Sequence, residues 1–75
     1  MPINELKGGE KMISVKCLDD GNVYWFSART AYEAMTNMKY TLNLNHSDKN
    51  AIINKTESGL HLWMEHCGNT YATRM

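Results

Sequence analysis

The sequence predicts an α+β domain: an antiparallel sheet of four to five strands, ββαββ or ββαβββ, with a single helix packed on one face. Three stretches carry this expectation. Met12 to Ala28, MISVKCLDDGNVYWFSA, alternates apolar and polar residues on either side of an Asp-Gly. Thr30-Ala31-Tyr32-Glu33 has the pattern of a helix start. Ala51 to Thr56 reads as a strand, Glu57-Ser58-Gly59 as its turn, and Leu60 to His66 alternates again.

Residues 1–11 are polar, contain Gly8-Gly9 and show no periodicity, so they are expected as a flexible N-terminal arm. A short turn at Asn4-Glu5-Leu6 is the alternative. Residues 12–75 then form a single small domain.

The first hairpin is expected to turn at Asp20-Gly21, a type I′ pair. That register sets Leu18 opposite Val23, Lys16 opposite Trp25, Val15 opposite Phe26 and Ile13 opposite Ala28. One face collects Ile13, Val15, Cys17, Tyr24, Phe26 and Ala28. The other collects Met12, Ser14, Lys16, Leu18, Val23, Trp25 and Ser27. The first set is the better core, and the second is far from polar. Any two-residue loop keeps these sets, whereas a one-residue slip would mix them.

In the helix, Thr30 can accept from a first-turn amide while Glu33 reaches back to the Thr30 amide. Ala31, Ala34, Met35, Met38 and Leu42 recur at helical spacing and form one apolar stripe. Asparagines at Asn43 and Asn45 compete with the helical backbone and should end the helix there. After a polar loop over His46 to Asn50, Ala51 to Thr56 reads as a strand. Leu60 to His66 reads as its partner, with Leu60, Leu62 and Met64 on one face and His61, Trp63 and Glu65 on the other. A Ser58-Gly59 loop would pair Ile53 with Met64; a bulged loop would pair Ile52 with Met64. A last turn at Gly68-Asn69 would return Thr70 to Thr73 as a short edge strand, Tyr71 opposite His66, with a frayed end after it.

Bulk properties narrow the class. The chain has 75 residues and a mass of 8.6 kDa, which is one domain. At this size only about 60% of the unfolded surface is buried, so the lone fold is marginal. Eight acidic and eight basic residues balance to zero formal charge, which disfavours a protein held to nucleic acid by phosphate contacts. No apolar run is long enough for a membrane span or a signal peptide. Cys17 and Cys67 are therefore expected as free thiols in a reducing cytoplasm, packed as small buried hydrophobes.

Chemistry-bearing residues are sparse. His61, His66 and Cys67 come nearest to a metal cluster. His61 and His66 alternate to opposite faces, however, and no CxxC or HxxxH spacing is present. Partly exposed strand histidines are the plainer reading, so no metal and no cofactor are expected. Cys67 beside His66 lacks an evident orienting third group for nucleophilic chemistry. Asp19 and Asp20 suit a hairpin loop for backbone reasons. Gly8-Gly9 precedes no strand–helix phosphate loop. No enzyme is expected.

Trp25 and Trp63 carry the most weight. Large aromatics on an outward strand face suit an interface anchor. A core placed on the wrong face is the second reading. Base-stacking on single-stranded nucleic acid, with Lys16, Lys55 and Arg29 as the basic candidates, is the third. One helix covers one face only, which leaves Met12, Lys16, Leu18, Val23, Trp25 and Trp63 as the candidate interface, with Ile52 if its strand reaches that far. A monomer rarely exposes a patch of this kind. A homodimer that contacts a further, unidentified protein is the expectation. In size, early hairpin and lack of a catalytic motif the chain resembles small accessory proteins of bacteriophages and mobile elements, many of them homodimers acting by protein contact. No motif carries that likeness, so no residue roles follow from it. The alternative functions are a single-strand nucleic-acid-binding module and a metal- or thiol-dependent enzyme.

Overall fold

A computed structural model describes residues 9–75 of the chain. Its elements run β1 (Lys11–Cys17), β2 (Val23–Ala28), α1 (Ala31–Asn43), β3 (Asn54–Lys55), β4 (His61–His66) and β5 (Asn69–Arg74). The strands form one antiparallel sheet in the order β2-β1-β5-β4-β3. This is the expected α+β fold in its longer, ββαβββ form. The arm expected at 1–11 falls outside the described residues up to residue 8. From there, β1 begins at Lys11 rather than Met12 and pairs Lys11 with Ala28.

The first hairpin keeps its two predicted faces but not its predicted register. Lys16 faces Val23, Ser14 faces Trp25, and Ile13 faces Phe26. The ladder closes at Cys17, whose amide donates to the Asn22 carbonyl at 2.8 Å. Leu18 to Gly21 thus forms a wider loop. The cause lies in a distant strand. Leu18 donates its amide to the Thr70 carbonyl (2.8 Å), and the Asp19 carboxylate accepts from the Thr70 amide (2.6 Å). Leu18 and Asp19 are thereby committed to β5 and cannot face Val23. The shift is two residues, so parity and face assignment survive it.

β5 is the largest departure from expectation. It is the central strand, between β1 and β4, and it sets Tyr71 opposite Met64 and Cys17. The turn before it is Cys67-Gly68, one residue earlier than expected, and both residues have positive φ (49° and 86°), as a type I′ turn requires. The expected fraying at the end is also absent, since β5 runs to Arg74 and Met75 donates its amide to the Leu60 carbonyl. Joining both hairpins through β5 is what makes one sheet of five strands.

The second hairpin takes the Ser58-Gly59 register, with Asn54 opposite Trp63 and Lys55 opposite Leu62. Its first strand is only Asn54–Lys55, shorter than the expected Ala51 to Thr56. Helix α1 starts as expected: the Thr30 Oγ1 accepts from the Glu33 amide at 3.1 Å. The reciprocal bond goes one residue further back, to the Arg29 amide at 2.6 Å. The stripe Ala34, Met35 and Met38 is fully buried and packs on Val15, Cys17, Ala28, Leu62, Met64 and Tyr71. Ile13, Tyr24, Phe26, Ala31, Leu42 and Ile53 edge that core. No helix of the described residues is long and apolar enough to cross a membrane.

Candidate functional site

Among the described residues, nothing covers the sheet face away from the helix. Strand pairing places Val23, Lys16, Ala72, Trp63 and Asn54 in one row across all five strands. Trp25 stands one row along, opposite Ser14, and His61 stands opposite Arg74. Trp25 is 61% exposed and Trp63 37% exposed, with Met12, Leu18, Val23 and Ile52 also exposed. Three strand spacings separate β2 from β4, so the tryptophans rise roughly 14 Å apart across the sheet. Between them the floor is low, because Ser14 and Ala72 carry small side chains. A groove of about 230 Å³ lies there, lined by Ser14, Lys16, Leu18, His61, Ala72 and Arg74 among others.

Every predicted interface residue therefore lies on one face, and Trp25 and Trp63 are not core. Ala72 and Arg74 join this face because β5 is a central strand, where the sequence predicts an edge. Of the other basic candidates, Lys55 shares the helix side with its partner Leu62, and Arg29 sits at the join of β2 and α1. Neither belongs to the open face.

A second, polar cluster forms where the loop after α1 meets the β4–β5 turn. His66 is 2% exposed, not the partly exposed strand histidine expected, because alternation along β4 points it with Leu62 and Met64 toward the helix. Its Nε2 lies 2.7 Å from Asn43 Oδ1 at the helix end. The same oxygen accepts from the Asp48 amide at 3.1 Å. Asp48 in turn accepts from the Cys67 amide (2.8 Å) and the Asn50 amide (2.9 Å). The Cys67 amide foremost, and the Asn50 amide after it, hold the Asp48 carboxyl below the usual carboxylate range. Cys17 is a buried thiol as expected, but Cys67, expected to be buried, is exposed in the β4–β5 turn. His61 stands on the opposite face, so the three residues first grouped together do not meet. Asp48 and Asn43 do meet His66 and Cys67; Asp48 lies in a polar loop without periodicity, and Asn43 at the helix end reads as a helix stop.

Comparison with protein-family models, curated proteins and solved structures found no match to this chain.

Proposed function

We propose that the chain is a small, non-enzymatic interaction protein that works as a homodimer, each copy covering the open sheet face of the other. The supporting observation is that face itself, with Met12, Leu18, Val23, Trp25, Ile52 and Trp63 all exposed. Two points favour a second copy as the occupant. Net charge is zero, so copies do not repel. The profile of two tryptophan ridges beside a floor of Ser14 and Ala72 lets one sheet set its ridges over the other's floor, with the sheets about 10 Å apart as in a sandwich. Lys16 can lay its methylene stem on that surface and carry its ammonium to the rim. A further, unidentified protein would be met by the dimer, as in the phage and mobile-element accessory proteins the chain resembles in style. The two free thiols suit a reducing, cytoplasmic setting.

Tryptophan emission tests the reading. Diluting the full chain from tens of micromolar should shift the emission to the red as Trp25 becomes wet, and Trp25→Ala should remove most of that shift. Emission that is independent of concentration contradicts the dimer.

One observation favours a second reading. Lys16 and Arg74 line the groove between the two tryptophans, an arrangement suited to stacking bases over a backbone held by cations. Titration with a single-stranded oligonucleotide at low salt discriminates. Quenching that weakens steeply with salt supports nucleic acid, and no quenching removes it.

A further inference from the structure

The cluster at the β4–β5 turn has a donor set that the interface does not use. One ring nitrogen of His66, the Cys67 sulfur and one Asp48 oxygen lie within 4.8 Å of one another. Hydrogen bonding fixes the imidazole tautomer. Asn43 Oδ1 accepts from the Asp48 amide, which can only donate, so that atom is the oxygen. The His66 nitrogen facing it, Nε2, must then carry the proton. Nδ1 is the ring nitrogen that this contact leaves free. This is how metal-bound imidazoles are oriented: one nitrogen donates to an oxygen and the other is left to the metal.

A divalent cation is attracted both by the Asp48 carboxylate and by the Cys67 sulfur. One nitrogen, one sulfur and one oxygen suit a borderline ion such as zinc; calcium and magnesium take oxygen alone. We propose that His66, Cys67 and Asp48 form a binding site for a divalent transition metal of the zinc type. Tetrahedral zinc–ligand lengths put donors roughly 3.3–3.8 Å apart, so the site closes by about 1 Å on binding. Cys67 is exposed and Asp48 lies on a loop, so the adjustment falls on the turn and the loop rather than on the sheet. Solvent takes the fourth position. Binding forms a metal–sulfur bond and releases the Cys67 thiol proton to the buffer, so affinity rises with pH.

Cobalt(II) added to the reduced full chain tests this. The expected result is one ion per chain, with tetrahedral d–d absorption and a thiolate-to-cobalt charge-transfer band, both displaced by zinc(II). Cys67→Ser should abolish the charge-transfer band. Asp48→Asn and Asn43→Ala should each weaken zinc binding at least about tenfold. His61→Ala, on the opposite face, should leave binding unchanged. Should the buried His66 variants not fold, the exposed Cys67→Ser carries the test. A missing band in the unaltered chain, a band that survives Cys67→Ser, or an equal loss in His61→Ala overturns the site.

Discussion

Cys67 shows what a single residue can reveal. It is the only non-glycine with positive φ among the described residues, at 49°. A side chain there costs roughly 1–2 kcal/mol, and asparagine or glycine is the usual solution. Replacing it as Cys67→Asn, measured with chelator present, should therefore raise the thermal midpoint by roughly 4–8 °C for each 1 kcal/mol relieved. The same variant should lose cobalt binding. A lower midpoint would mean that the turn is not strained as described. Asn43 makes the opposite prediction. Asn43→Ala strips the acceptor from the buried His66 Nε2 and from the Asp48 amide, and should cost about 1–3 kcal/mol in denaturant melts. Asp48 adds a pH dependence. Its folded carboxyl titrates below the ordinary value of 3.8, so its contribution is complete above that range and is lost as pH falls through it. The unaltered chain should thus lose thermal stability more steeply than Asp48→Asn on acidification below about pH 5. None of these contacts was legible in the sequence. They join an asparagine, an aspartate and a turn far apart in the chain, and periodicity is silent about polar loops.

Individual elements were far more legible, for a physical reason. Face assignment depends only on the parity of the loop, so any loop of even length sets Val15, Cys17 and Phe26 against Met12, Lys16 and Trp25. The loop length itself was not legible. It depends on Leu18 and Asp19 bonding to Thr70, a contact that forms only when β5 enters the sheet. The helix start was legible because its signal is local. Thr30→Ala should destabilise the fold by about 1 kcal/mol, since the Glu33 amide then loses its acceptor. A conservative Thr30→Ser should keep most of that. The short β5, NTYATR, gave no hint of its position. Its alternation of Tyr71 and Thr73 inward with Ala72 and Arg74 outward is clear only once its two neighbours are known. Thr73 earns burial through a hydroxyl that donates to the Ser14 carbonyl at 2.6 Å, a bond no pattern of hydropathy foretells.

At the scale of the molecule, the one helix and five strands of the described residues leave one face of the sheet bare. The core is a single cluster centred on Met35, Met38 and Met64, and a domain of this size has little stability in reserve. Covering Trp25 and its neighbours would add stability in a concentration-dependent way. Face-to-face pairing by a two-fold axis puts the same patch in both copies, so one substitution acts twice. Trp25→Glu places a charge in each half of the contact and should dissociate the pair while leaving the folded monomer intact, because Trp25 makes no part of the core. The mass of the full chain at tens of micromolar, by light scattering, tests the central claim most directly. The expected mass is twice the 8.6 kDa of one chain, falling to 8.6 kDa in Trp25→Glu; an unaltered chain that already weighs 8.6 kDa contradicts the dimer.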